Sequence, residues 1–113
     1  MSGITTHVLD IARGRPAAGV PVTLESKSAG GWALVGRGAT DADGRLRDLA
    51  PADFVLTEGE YRLTFDAGAY LAAAGAGGFY TEVVVSFVVR DAASHYHVPL
   101  LLSPYGYSTY RGS

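Results

Sequence analysis

Three histidines are the residues of this chain best suited to chemistry by their type and spacing. His95 and His97 lie two positions apart, and His7 lies far from them in the sequence. A neutral imidazole accepts a proton from water near neutral pH, since its usual pKa is about 6.5, and it also ligates zinc. Two chemistries therefore stay open, a metal-free general-base hydrolase and a three-histidine zinc hydrolase. A hydrogen-bonded surface histidine without a catalytic role is the alternative at each position.

Arg45 follows an acidic turn, Asp41-Ala42-Asp43-Gly44, and is a second group that could contact a substrate. The turn is similar to the start of a calcium-binding loop, but Arg45 stands where an oxygen ligand belongs. Ala52 stands where the loop needs a bidentate carboxylate, so we do not expect calcium there. We predict instead a β-turn, with Gly44 at positive φ, that presents Arg45 at the start of a strand.

Period-two alternation and turn residues dominate the chain and predict about eight strands, a pattern typical of an all-β sandwich. One strand is predicted to begin at Arg45, and the others are Ile4–Asp10, Val20–Ser26, Trp32–Gly38, Gly59–Asp66, Phe79–Asp91, His95–Leu102 and Tyr105–Gly112. The alanine-rich stretch Ala67–Ala76 predicts a short helix, ended by the glycines at 75, 77 and 78.

The alternation within His95–Leu102 indicates which way its histidines point. Successive side chains of a strand face opposite sides of the sheet. The apolar set is predicted to face the core: Tyr96, Val98, Leu100 and Leu102. His95 and His97 should therefore lie on the outer face, whereas the weak alternation of the first strand does not assign His7 to either face.

The segment Val83–Val89 is apolar at positions that would face both sides of a sheet. One face must meet the core, and the other must be covered by the helix or by another subunit. An uncovered apolar strand promotes aggregation, so this segment favours an oligomer.

Composition excludes several classes of function. The chain has 113 residues, which suits one domain over residues 1–113, and its hydrophobic fraction of 48% argues against disorder. It has no cysteine, which removes disulfides, thiolate catalysis and Cys-ligated zinc. A formal charge of −2 argues against a nucleic-acid partner.

The N-terminus shows no signal-peptide pattern, and no apolar run is long enough to span a bilayer. We therefore expect a cytoplasmic protein without a membrane partner.

Three motifs resemble one family closely: THVLD near the start, DADGR in the middle and HYHVPLLLSPYGYSTYRGS at the end. In order and spacing they are similar to the 5-hydroxyisourate hydrolases of the transthyretin-like family. The resemblance implies a transthyretin-like β-sandwich of two four-stranded sheets with one short helix. It also implies a homotetramer, a dimer of dimers, whose active sites lie where subunits meet.

The same resemblance implies a hydrolase that opens the cyclic amide ring of 5-hydroxyisourate in urate breakdown, a part of purine metabolism, with no cofactor and no metal. Carried onto this sequence, the family's catalytic positions are His7, Arg45, His97 and Ser113. Tyr110, Arg111 and Gly112 belong to the same Tyr-Arg-Gly-Ser ending and are expected to bind the substrate. His95 is expected to support the site by hydrogen-bonding a neighbour. Which histidine acts as the general base stays open.

The alternatives are the zinc hydrolase and a small-molecule carrier of the transthyretin type. Transthyretin itself has Lys, Glu and Thr where this chain has His7, Arg45 and His97, and it lacks the Tyr-Arg-Gly-Ser ending. These differences argue against a hormone carrier.

Overall fold

The computed structural model describes residues 3–113, which form two β-sheets packed face to face with one short helix. The all-β sandwich expected from the alternation is confirmed. The elements in chain order are β1 Ile4–Asp10, β2 Arg15–Pro16, β3 Pro21–Ser28, β4 Gly31–Ala39, β5 Arg45–Leu46, β6 Gly59–Phe65, α1 Ala67–Ala73, β7 Val83–Val89, β8 Tyr96–Ser103 and β9 Gly106–Thr109.

The first sheet has the strand order β2-β1-β8-β9, and β5 also pairs with β1. Strands β1 and β8 are parallel, and the other pairs in this sheet are antiparallel. The two-residue strand β2 pairs with the end of β1 and β5 pairs with its middle, so the two short strands share one position at the edge. The predicted four-stranded sheet therefore contains five strands in four positions, because its edge strand is split in two.

The second sheet is antiparallel, with the order β4-β3-β6-β7, and it has the four strands expected. Alternate residues of both sheets point inward and are fully buried, among them Val8, Leu24, Leu63, Phe65 and Leu100. Burying each such side chain contributes about 1.5–3 kcal/mol, so this core fixes which face of each strand remains outside.

Helix α1 is shorter than predicted. It runs over Ala67–Ala73, and the predicted end at Ala76 is wrong. The Asp66 side chain caps its first turn by accepting a hydrogen bond from the Ala69 N–H at 3.0 Å. Gly75 takes φ +74° after the last turn, and the N–H groups of residues 75 and 76 bond back to carbonyls of the helix. This glycine cap ends the helix, as the sequence indicated. None of the helical structure within residues 3–113 has the length and hydropathy needed to cross a membrane.

Strand β7 lies at the edge of the second sheet and has valines on both faces. Val83 and Val89 are buried against the core, whereas the outward side chains of Val84 and Val88 are 44% and 42% exposed. The first sheet ends in β9, whose Tyr107 is also exposed. Both of these edge strands thus expose apolar side chains.

Candidate active site

Strands β5, β1 and β8 bring four polar residues onto the outer face of the first sheet. Thr5 pairs with His97 across β1 and β8, and His7 pairs with Arg45 across β1 and β5. Paired residues share a face, and the neighbours of His97 in β8, including Val98, are buried on the other side. The predicted outward placement of His97 is confirmed. The pairing also assigns His7 to that same outer face, which the sequence alone left open.

These residues surround an open cavity of about 310 Å³. Its lining residues are Thr5, Thr6, Arg45, Arg47, His95, His97 and Ser113. Four of the residues predicted from the sequence thus line one cavity: Arg45, His95, His97 and Ser113. His7 lies beside it, opposite Arg45 in the strand pairing. The polar face of the sheet is therefore a concave site with imidazole and guanidinium groups.

The acidic turn before β5 positions Arg45. The Asp41 carboxylate accepts hydrogen bonds from the N–H groups of Asp43 at 2.9 Å and Arg45 at 3.0 Å. The Arg45 N–H is the main cause that lowers the pKa of Asp41. Gly44 has φ +75°, and any Cβ there would collide with the Val8 carbonyl oxygen. Both conditions require glycine, so the predicted turn is confirmed and Arg45 begins β5 as expected.

Thr5 links the two histidines of the β8 segment. Its hydroxyl oxygen lies 2.8 Å from Nδ1 of His97 and 2.9 Å from Nε2 of His95. Thr5 is only 6% exposed, so these bonds form where water competes little. Both imidazole rings are therefore held by one hydroxyl group.

The environment of His97 favours its neutral form. Partial burial is the main cause that lowers the pKa of His97 below the usual 6.5, because charge is costly away from water. The positive charge of Arg45 lowers it further, and the nearby His7 and His95 act in the same direction. At neutral pH the ring is accordingly uncharged and can accept a proton.

His7 is fixed by a different bond. Its Nε2 lies 2.8 Å from the carbonyl oxygen of Asp43. A carbonyl only accepts hydrogen bonds, so Nε2 of His7 carries a proton and donates it. The neutral His7 ring therefore has its free lone pair on Nδ1, and the bond ties the Arg45 turn to β1.

The end of the chain reaches the cavity through Gly112. Its N–H donates to the carbonyl oxygen of His97 at 2.8 Å, in an isolated bridge beside β8. A Cβ added at Gly112 would lie 2.7 Å from Cδ2 of His97, so the backbone at Gly112 lies close against the imidazole ring. This close approach places Ser113 in the cavity lining.

Tyr110 and Arg111 lie elsewhere. The Arg111 guanidinium stacks 4.3 Å from the Tyr96 ring and donates to the His95 carbonyl oxygen at 3.2 Å. Tyr110 is 57% exposed and lines, with Arg111 and residues of β7, a separate and largely apolar cavity of about 400 Å³. Within one chain, neither of these two predicted substrate-binding side chains lines the cavity that contains His95 and His97. Their substrate contacts stay a prediction.

Three lining residues were missed by the sequence reasoning: Thr5, Thr6 and Arg47. Two of them had a usable signal. Arg47 follows Arg45 by two positions, so a strand starting at Arg45 places both on one face. Thr5 precedes His7 by two positions and shares its face for the same reason. Thr6, whose hydroxyl donates to the Val98 carbonyl oxygen at 2.6 Å, had no such signal.

The three histidines do not form a metal-binding group. Within residues 3–113 no group of three or more His, Cys, Asp or Glu side chains is arranged to hold a metal ion. Instead, Nε2 of His7 is bonded to Asp43, and ring nitrogens of His95 and His97 are bonded to Thr5. The arrangement suits acid–base chemistry by individual imidazoles.

Comparisons with known proteins show the family of this chain. The model of the HIUase/Transthyretin family matches residues 4–112. The 5-hydroxyisourate hydrolase of Caulobacter vibrioides is 48% identical, over all of both chains. The structure of Klebsiella pneumoniae 5-hydroxyisourate hydrolase is 38% identical, with TM-score 0.85 over all of both chains. Sea bream transthyretin in complex with thyroxine is 32% identical, with TM-score 0.89 over 98% of this chain and 95% of that one.

Proposed function

We propose that this chain, which belongs to the HIUase/transthyretin family, hydrolyses the cyclic amide bond of 5-hydroxyisourate in urate breakdown. The observation that carries the proposal is the cavity on the outer face of the first sheet, where His97, Arg45 and Ser113 meet. The 5-hydroxyisourate hydrolase of Caulobacter vibrioides, nearly half identical over its full length, supports the same substrate.

His97 is the proposed general base. Its neutral ring takes a proton from water through Nε2 while the water oxygen adds to the amide carbonyl carbon. The carbon–nitrogen bond then breaks, and the same proton passes to the leaving nitrogen. Such general acid–base help is worth about 10²- to 10⁴-fold in rate.

Arg45 and Arg47 are proposed to hold the substrate. A guanidinium presents fixed, paired donors, which suit the carbonyl and anionic oxygens of a planar heterocycle. Developing negative charge on the attacked oxygen is stabilised by the same donors. His7 donates to the Asp43 carbonyl oxygen and so braces the turn that carries Arg45, while its Nδ1 is free to accept from the substrate.

The last four residues are proposed to complete the site in different ways. Ser113 lines the cavity and orients the water or the developing oxyanion. Gly112 places Ser113 there because it lies close against the His97 ring. Arg111 holds the backbone at His95, and Tyr110 contributes to the site in the assembled oligomer, beside β7.

We also propose a homotetramer, built as a dimer of dimers. Strands β7 and β9 are edge strands with exposed apolar side chains, which a second chain covers by extending both sheets. Residues 1–113 then act as one domain of each subunit. Analytical ultracentrifugation is expected to give four times the chain mass of 11.8 kDa, and a monomer at micromolar concentration would contradict this assembly.

The two alternatives of the sequence reasoning are not favoured. The fold alone does not separate an enzyme from a carrier, since the thyroxine complex of sea bream transthyretin shares it. The imidazoles and guanidiniums of the outer face favour the enzyme. Within residues 3–113 no three His, Cys, Asp or Glu side chains are grouped so that they could hold a metal ion, which argues against a shared zinc ion.

One assay separates these possibilities. Freshly made 5-hydroxyisourate is followed by its ultraviolet absorbance, with and without the protein, because the compound also decays unaided. The proposal predicts accelerated decay that a strong chelator does not change. Loss of activity with the chelator would support the zinc hydrolase, and no acceleration would support a carrier. The cytoplasm stays the predicted compartment, which fractionation of source cells would check.

A further inference from the structure

The Thr5 hydroxyl has one proton and two imidazole neighbours. Nδ1 of His97 and Nε2 of His95 both lie within hydrogen-bond distance of its oxygen, at 2.8 and 2.9 Å. A hydroxyl donates one hydrogen bond and accepts others. Thr5 therefore donates to one ring and accepts an N–H from the other, so the protonation of the two rings is coupled.

Two arrangements satisfy both bonds with neutral rings. In the first, Nδ1–H of His97 donates to Thr5, and the Thr5 hydroxyl donates to Nε2 of His95. This leaves the lone pair of His97 on Nε2. In the second, Nε2–H of His95 donates to Thr5, and Thr5 donates to Nδ1 of His97, whose Nε2 then carries the proton. The two arrangements differ only in which nitrogen of each ring carries the proton and in which ring receives the Thr5 hydrogen bond.

We propose that the Thr5 hydroxyl is a positioning group and proton relay, which keeps Nε2 of His97 free to accept the proton of water and passes the Nδ1 proton on to His95. The inference rests on the proposed hydrolase function for its catalytic consequence. It extends that function to Thr5, and it gives His95 the role of distal proton acceptor.

The proton balance closes without a further reactant. Water loses one proton to Nε2 of His97, which becomes an imidazolium with protons on both nitrogens. The Nδ1 proton then moves to the Thr5 oxygen as the Thr5 proton moves to Nε2 of His95. His97 ends neutral with its proton on Nε2, and His95 ends as the imidazolium. Return of the Nε2 proton to the leaving nitrogen reverses the relay.

The surroundings explain why a relay is useful here. The charged and titratable groups around His97 are Arg45 and Arg47 from the β5 side, His7 from β1, and His95 just before β8. Burial and this positive surrounding hold the pKa of His97 low, so a full charge on its ring is unfavourable. His95 is exposed and also lines the open cavity, so a charge moved to it is in contact with water.

The test compares Thr5→Val with Thr5→Ser in the full chain. Valine keeps the branched shape of threonine and removes the hydroxyl, whereas serine keeps the hydroxyl. Removing the partner that orients a metal-bound histidine typically costs about 10- to 100-fold, and a comparable loss is expected here. We expect kcat of Thr5→Val to fall about tenfold or more with KM within about twofold, and Thr5→Ser to recover most of the loss. Thr23→Val, on β3 of the other sheet, is the matched control and should keep the parent's kcat.

A second variant separates relay from positioning. In His95→Gln, an amide oxygen can still accept the Thr5 hydrogen bond, but the side chain cannot take up a proton. The relay predicts a lower kcat for this variant as well. A His95→Gln protein that keeps the parent's kcat overturns the relay, whatever the result for Thr5→Val, and a Thr5→Val protein that keeps it overturns the positioning role as well.

Nitrogen-15 NMR of the imidazoles tests the same idea without any turnover and without a variant. The proposal predicts that the parent's His97 carries its proton on Nδ1 in the neutral form. A proton on Nε2 of His97 would overturn it. If the parent fails to hydrolyse 5-hydroxyisourate, the proposed function falls, and the NMR result still decides the hydrogen-bond arrangement.

Discussion

Replacing Gly112 with alanine should disable the site while leaving the sandwich folded. Gly112 lies against the imidazole of His97, and an alanine Cβ there would be 2.7 Å from Cδ2 of that ring. It would also lie 3.4 Å from Cγ of Pro99, which limits movement in that direction. The ring must therefore shift, or the segment that carries Ser113 must move away from the cavity.

The expected loss of activity in Gly112→Ala follows from the distance between the added Cβ and the His97 ring. Ordinary contact begins at 3.4 Å, so one partner must move by about 0.7 Å. The ring is held at Nδ1 by Thr5 at 2.8 Å, and a turn of the ring away from its rotamer costs about 0.5–1.5 kcal/mol. A misplacement of about 1 Å in an active site costs about 10²-fold in rate. We therefore expect kcat/KM to fall about 10- to 100-fold, equivalent to about 1.4–2.7 kcal/mol.

Gly106→Ala is the matched control, since it makes the same change in the same part of the chain. Its added Cβ would meet only the Ser103 hydroxyl, at 3.7 Å, and Gly106 does not require positive φ. Both variants are assayed by the ultraviolet decay of 5-hydroxyisourate and by thermal melting. Gly106→Ala should keep the parent's activity. A Gly112→Ala protein with the parent's activity and melting temperature would refute the close packing of the tail on His97.

Three further predictions concern the same site. Arg45→Lys should lower kcat/KM almost as much as Arg45→Ala, because lysine keeps the charge and loses the paired donors; a lysine variant as active as the parent would leave only a charge effect. Deleting Tyr110–Ser113 should abolish turnover yet leave a folded oligomer by melting and sedimentation, since the buried residues of β8 supply the core there; full activity would exclude these residues from catalysis. The acid limb of kcat/KM should have its midpoint below pH 6.5, because the folded pKa of His97 is lowered, and a midpoint above 6.5 would contradict its burial.

The lowered pKa of His97 also makes the free energy of unfolding depend on pH. Between the folded pKa and 6.5, the unfolded chain binds a proton at His97 that the folded chain does not. This histidine therefore makes folding less favourable as the pH falls through that window, and it has no effect well above 6.5. His97→Gln should remove this contribution from the pH dependence of unfolding.

Strands in which apolar and polar residues clearly alternate were predictable from the sequence. The alternation of β8 correctly separated buried Val98 and Leu100 from outward His97, since a strand has only two faces. Strands β2 and β5 have two residues each, which is too short to show a period, so the split edge of the first sheet was not foreseen. The helix was predicted too long because Ala74 and Ala76 continue the alanine-rich composition beyond Ala73, where the helix ends.

Site residues whose type and neighbours indicate their chemistry were predictable from the sequence. Residues whose place in the site depends on the pairing between strands were less predictable. Arg45 was found through the turn that its neighbours dictate. The face of His7 and the role of Thr5 depend on the register between β1 and β8, which brings together residues more than 90 positions apart. The location of Tyr110 depends on the neighbouring strand β7, and no local pattern in the segment of Tyr110 itself indicates that contact.

The most direct measurement is the turnover of 5-hydroxyisourate by the parent, His97→Ala and a second alanine variant, Ile11→Ala, at an exposed position after β1. The parent and Ile11→Ala are expected to accelerate decay equally. His97→Ala should lose about 10²-fold or more while its melting temperature stays near the parent's, since a partly exposed side chain contributes little to the core. A His97→Ala protein that hydrolyses the compound as fast as the parent would contradict the assignment of this face as the active site.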